Sequence, residues 1–157
     1  MRHAKVEKRI TPPDKVYKSI LVAKVVNGIM NDGKKTVAQK IVYTVLEALR
    51  GKGLEPVETL EKALANIAPK IEIKAKRVGG ANYQVPIEVR GDRRMSLSIR
   101  WLIQAAEGRS SKEYHGFDKK LLAEITDALE NKGEATKKRD NMHRQAEANK
   151  AFASFRF

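Results

Sequence analysis

Residues 70–94 carry the one clear period-two alternation in the chain, and it narrows the possible folds more than any other feature. Ile71, Ile73 and Ala75 fall on one face of an extended strand, Glu72, Lys74 and Lys76 on the other. After Gly79-Gly80-Ala81-Asn82 the pattern resumes, with Tyr83, Val85, Ile87 and Val89 on one face and Gln84, Pro86, Glu88 and Arg90 on the other. Glycine and asparagine tolerate the positive φ angles of a tight hairpin. Nothing else in the sequence offers a third strand, and Pro86 lacks the amide proton that a central strand needs. A two-stranded ribbon is marginal alone in water, so this one must lean on a helical body or a ligand. Strands of about nine residues at ~3.3 Å each would project about 30 Å. Ile71, Ile73, Ile87 and Val89 are expected to pack its base on the helices. The outer residues, 76–84, are expected to bury little and to leave Tyr83 able to stack on a base.

Charge says what such a ribbon could meet. The 157 residues, about one domain by size, carry a net charge of +13. Segments 1–35, 70–94 and 132–157 together hold +14, against 0 for 36–69 and −1 for 95–131. The positive charge therefore sits on the two ends and the hairpin, which is the footprint of a polyanion binder rather than of general solubility. With no cysteine, disulfides and thiolate metal sites are excluded. No apolar run reaches the length of a membrane span and no signal-peptide pattern opens the chain, so the expectation is a soluble, cytosolic protein.

The remaining segments read as helices, giving a mainly α class: a single-domain body of about six helices, with the hairpin between the third and fourth. Residues 1–18 form a basic, irregular arm, because Pro12 and Pro13 forbid a continuous helix. Ile20–Met30 is apolar nearly all round, broken by Lys24, Asn27 and Gly28, and stops at Asn31-Asp32-Gly33. Thr36 with Gln39 makes a capping box for a helix whose stripe is Ala38, Ile41, Val42, Val45, Leu46 and Leu49. Pro56 opens a third helix and Pro69 stops it. Asp92 is expected to cap a fourth, in which Trp101 packs in the core. Residues 109–116 read as a loop, and a fifth helix carries Leu121, Leu122, Ile125, Ala128 and Leu129. The segment 134–152 has few core residues and so needs an outside partner; the aromatics after it, Phe152 and Phe155, read as exposed.

Gly28 to Lys34 matches the phosphate loop G-x-x-x-x-G-K, but Lys35 stands where Ser or Thr should hold magnesium, and no parallel strands accompany it. The pattern reads as a decoy. His3, His115 and His143 lack ligand spacing, and no nucleophile–base pairing stands out, so neither a cofactor, a metal nor an enzymatic activity is expected. Most carboxylates fall on solvent faces. Two features remain beside the ribbon: Lys34-Lys35 and Arg93-Arg94 each open a helix, where the macrodipole disfavours cations and favours phosphate. An architectural DNA binder with a basic ribbon is the alternative class, although such a ribbon would carry an apolar wedge where this tip has Gly79-Gly80-Ala81-Asn82.

Met30-Asn31-Asp32-Gly33-Lys34-Lys35, the run Arg77-Val78-Gly79-Gly80-Ala81-Asn82-Tyr83-Gln84-Val85-Pro86, Arg100-Trp101-Leu102 and the stretch from Arg144 to Phe152 resemble bacterial ribosomal protein seven of the small subunit. The likeness runs in order along essentially the whole chain. It implies a single rRNA-binding domain over 1–157, with a basic arm at 1–18, a hairpin at 70–90 and a basic C-terminal helix and tail at 132–157. It implies a primary binder of the 3′ major domain of small-subunit rRNA that nucleates head assembly in the cytoplasmic ribosome. It further implies a place near the exit-site tRNA and the mRNA path, beside ribosomal proteins nine and eleven, and in some members repression of their own message. Matching motifs carry rRNA contacts to Lys34, Lys35, Arg77 and Arg94; the basic segments add Arg2, Lys8, Arg9, Lys74, Lys76 and Arg93. The tRNA- and mRNA-proximal set would be Val78, Gly79, Gly80, Ala81, Asn82, Tyr83 and Gln84 on the tip, with Arg139, His143 and Arg144 on the last helix. Residues 110–120 depart from the family pattern in lacking an arginine-richer lead into the fifth helix.

Overall fold

The computed structural model describes residues 10–155. Within them run α1 (Ile20–Ile29), α2 (Lys35–Gly51), α3 (Pro56–Ile67), β1 (Ile71–Val78), β2 (Ala81–Glu88), α4 (Gly91–Gly108), α5 (Phe117–Leu129), α6 (Glu134–Ala148) and a C-terminal 3₁₀ helix (Lys150–Phe155). This is the expected helical body with a hairpin between the third and fourth helices. The core is a single cluster filled by Leu46, Leu49, Leu60, Ile67, Leu102, Leu121 and Ile125, with Trp101 packed at its edge.

The helix stripes fall where the 3.6-residue period puts them. Ser19 caps α1, its Oγ accepting from Val22 N at 3.5 Å, and Leu21, Val22, Val25 and Val26 are buried. Gly28 lies inside α1. A Cβ built there would stand 2.8 Å from Ile103 Cδ1 and 3.1 Å from Ile99 Cγ2, so this glycine is the point where α1 closes on α4. A glycine within a helix is no phosphate loop, and the G-x-x-x-x-G-K pattern is a coincidence of helix packing and a turn.

Two caps differ from expectation. Thr36 does not cap α2: Asp32 and Gly33 take positive φ, and Lys35 N bonds Gly33 O at 2.8 Å, so the helix begins two residues early with Lys34 at the N-cap and no side-chain cap. Asp92 does not cap α4 either. It sits in the first turn, and Arg90 occupies the N-cap position because the strand ladder runs on through Val89 N to Lys70 O at 3.0 Å.

Among the described residues three carboxylates are buried rather than solvated. Asp14, in the arm, accepts from Val16 N, Tyr17 N and Tyr43 Oη, the last at 2.8 Å, and ties the arm to α2. Burial alone would raise its carboxyl, yet these hydrogen bonds hold it below its ordinary value, while burial and Asp14 together push the Tyr43 phenol up to about 12. Glu124 of α5 is fully buried and bonds Arg109 Nε at 2.7 Å and the amide of Ala135 at 2.9 Å. It thereby caps α6, whose own N-cap residue, Gly133, has no side chain to do so. Gly133 is required twice: its φ is +92°, and a Cβ there would stand 2.7 Å from Glu124 Oε1. Arg109, also paired with Asp127, gives the 109–116 loop an anchor in the core and fixes the approach to α5, which starts at Phe117. The third buried carboxylate, Glu72, belongs to the hairpin.

Candidate nucleic-acid interface

The hairpin turns on two residues only. Gly79 and Gly80 have φ of +57° and +92°, as a type I′ turn requires, and Val78 pairs with Ala81, so Ala81 and Asn82 belong to the strand. This register pairs Glu72 with Ile87, Lys74 with Val85, Lys76 with Tyr83, and Ile73 with Pro86. Directly opposed residues share a face. The apolar halves of the two strands therefore lie on opposite faces, and the expected single apolar base of Ile71, Ile73, Ile87 and Val89 does not exist. Val89 packs into the core as expected and Ile71, Ile73 and Ile87 are half-buried, while Val85 and Pro86 are buried on opposite faces, with Glu72 on the face of Val85.

Glu72 is the electrostatic post of this base. It is 6% exposed and accepts from Arg93 at 3.2 and 3.1 Å, with Lys74 at 3.1 Å. Arg93 thus latches the ribbon to the start of α4. Arg94, next to it, makes no side-chain hydrogen bond among the described residues, and its Nε is buried. The outer ribbon leans on the chain's own C-terminal segment. Tyr83 lies between Phe152 and Phe155, both ring centroids at 5.2 Å, and Lys76 Nζ donates to Phe155 O at 3.1 Å. Tyr83 is therefore not free to stack on a base, and Phe152 and Phe155 are half-buried rather than exposed. The tip beyond them, Arg77 to Asn82, is exposed, as is Gln84.

The last helix also finds its partner within the fold. Ala135, Thr136 and Ala146 are buried. Arg139 donates to Asn66 O at the end of α3 and pairs with Asp140 at 2.7 Å. His143 Nε2 accepts from Lys70 N at 3.0 Å, where β1 begins. Burial, and after it the neighbouring Arg139 charge, hold this imidazole below its ordinary value, so it sits neutral as an acceptor. Arg144 is exposed.

The predicted cations thus divide. Arg93 and Arg139 hold the fold together, Lys74 and Lys76 are shared between fold and solvent, and Lys34, Lys35 and Arg77 stand exposed. Lys34 has only a 3.7 Å contact with Asp32, both side chains more than two-thirds exposed. Arg2, Lys8 and Arg9 lie outside the described residues. Two cations that the sequence reasoning passed over join the exposed set. Lys24 and Arg100 line a cleft of about 410 Å³ between α1 and α4, with Asn27, Gly28, Ser96 and Gln104. It adjoins a second cleft of about 640 Å³ that includes Thr11, Lys24 and Arg93. The signal was present: Lys24, Asn27 and Gly28 are the polar breaks in an otherwise apolar helix.

Among the described residues no cluster could hold a metal ion, and no helix is long and apolar enough to cross a membrane. Residues 1–150 match the family described as Ribosomal protein S7p/S5e. The small ribosomal subunit protein uS7 of Clostridium acetobutylicum is 51% identical over 157 residues, covering 99% of each chain. Those of Caldicellulosiruptor bescii and Lawsonia intracellularis are 52% and 53% identical over the same span, again covering 99% of each chain.

Proposed function

The chain belongs to the ribosomal protein S7p/S5e family, structural and non-enzymatic constituents of the small subunit of the cytoplasmic ribosome, and from that premise we propose that its exposed cations grip the 3′ major domain of small-subunit rRNA. In this reading one domain nucleates assembly of the subunit head. Lys34, Lys35, Arg77 and Arg94 contact rRNA, helped by the N-terminal arm and by Lys24 and Arg100 in the α1–α4 cleft. The hairpin tip from Val78 to Asn82, with Arg144 on α6, lies toward the exit-site tRNA and the mRNA. Ribosomal proteins nine and eleven are its protein neighbours.

The observation that carries the reading is the uncapped start of α2. Its first amides have no side-chain partner, and Lys34 and Lys35 stand beside them with no acidic residue in the first turn. Cations there are unfavourable for an isolated helix by about 0.3–1 kcal/mol each, and a phosphate answers both the amides and the lysines. Hydroxyl-radical footprinting of the rRNA should show a protected backbone patch, and Lys34→Glu with Lys35→Glu should remove part of it while circular dichroism stays unchanged. Unaltered protection in that variant would reduce the lysines to surface charge, and no protection by the wild type would overturn the reading.

A further inference from the structure

Between α1, α3 and α4 lies an open slot of about 370 Å³, within the size range of small-ligand pockets. Its walls are apolar: Leu21, Leu64, Ala68 and Met95. Three polar side chains reach it. Ser98 is already satisfied, its Oγ donating to Met95 O at 2.9 Å. The other two are Arg94 and Glu61. Arg94 Nε is the one side-chain polar atom among the described residues that is buried without a hydrogen-bond partner, and an orphaned buried donor calls for an explanation, because leaving it unpaired is costly. Glu61 is exposed at the rim, where it can accept.

We propose that this slot receives one extruded base of the RNA, and that the base is guanine. The proposal rests on the rRNA-binding reading above and adds a nucleotide-specific site to it. An unpaired base is flat, apolar on both faces and polar at its edge, and single-stranded RNA is read by placing such bases against side chains that bond their edges. Apolar walls suit the faces. A carboxylate and a guanidinium then define the edge. Guanine alone presents two adjacent donors, N1–H and the N2 amino group, that match the two oxygens of Glu61. Its O6 and N7 are the acceptors an arginine prefers, and the Arg94 guanidinium, which lines the slot, supplies the donors. A base stripped of its own stack also needs its backbone held. Arg90, exposed and next to Gly91 at the edge of the same slot, is the nearest cation for the adjoining phosphate.

Kethoxal reacts with N1 and N2 of unpaired guanine, the edge assigned to Glu61, while hydroxyl radicals report the backbone. Both are applied to an RNA fragment of the 3′ major domain, free and bound to the full chain. The wild type should protect one unpaired guanine. Ala65→Trp, which fills the slot from an exposed position on α3, should restore that guanine's reactivity about tenfold with the backbone footprint retained. Glu61→Gln, also at an exposed position, should do the same without adding bulk, and it carries the test if the tryptophan variant misfolds. A backbone footprint with no protected guanine, or a protected guanine indifferent to both substitutions, overturns the slot and leaves the rRNA-binding reading standing. Absence of any backbone footprint overturns both.

Discussion

His143 links the last helix to the first residue of the ribbon through a bond that only its neutral form can accept. Its folded-state pKa lies below the ordinary 6.5. The stabilisation is therefore complete above pH 6.5 and drains away as acid protonates the unfolded chain first. Thermal melting should show the wild type losing stability below pH 6.5 relative to His143→Gln, whose amide oxygen accepts at any pH; parallel profiles would show that the bond contributes nothing. Glu124 predicts a larger effect. It is fully buried with Arg109 at its side chain and the Ala135 amide above it. Removing one member of such a buried pair costs about 3–5 kcal/mol, so Glu124→Ala should shift the urea midpoint far down, and a shift worth less than about 1 kcal/mol would mean the pair is solvated. Neither contact could be read from the sequence. Arg109, which pairs with Glu124, and Tyr43, which donates to Asp14, stand 15 and 29 residues away, and alternation or helical spacing assigns a side chain to a face without saying what stands opposite. Lys24 was legible in principle, as a charge on an apolar helix.

At the scale of elements, period-two patterning located both strands, and turn and proline signals bounded α1 and α3, while neither expected side-chain cap, Thr36 or Asp92, formed. What it could not supply was register. Each strand has its own apolar side, but a two-residue turn decides which sides coincide, and here it sets them against each other. The ribbon is held upright by Glu72–Arg93 at the base and by the Tyr83–Phe152–Phe155 cluster further out. Aromatic pairs add about 0.5–1.5 kcal/mol each beyond area burial, so Tyr83→Ala should cost about 1–3 kcal/mol and speed amide exchange in β2 and in the C-terminal 3₁₀ helix together. Exchange that quickens in the strand alone would show that the two elements are not coupled. For the same reason, replacing residues 76–84 by a short Asn-Gly turn should destabilise the protein by more than the ~1 kcal/mol expected of a free surface loop. Thermal melting of that variant checks it.

For the molecule as a whole, the segregation of charge was plain in the sequence, because clusters of lysine and arginine need no structural context to be counted. If about six to eight phosphates are contacted, log affinity for rRNA should fall against log salt with a slope of roughly −4 to −7. A filter-binding series that returned a slope shallower than about −2 would show that charge is not the main grip. The placement of the C-terminal 3₁₀ helix has a consequence in time. Residues 71–88 are synthesised well before Phe152 and Phe155, which cover Tyr83. At about 5–20 residues per second, the ribbon spends on the order of 3–13 s outside its own clasp. During that interval only its base can be latched, since Arg93 follows it closely in the chain. A chain lacking the residues after 149 should therefore expose a protease-sensitive ribbon on an otherwise folded body, and Phe152 and Phe155, emerging long after the strands, are the residues that set it rigid.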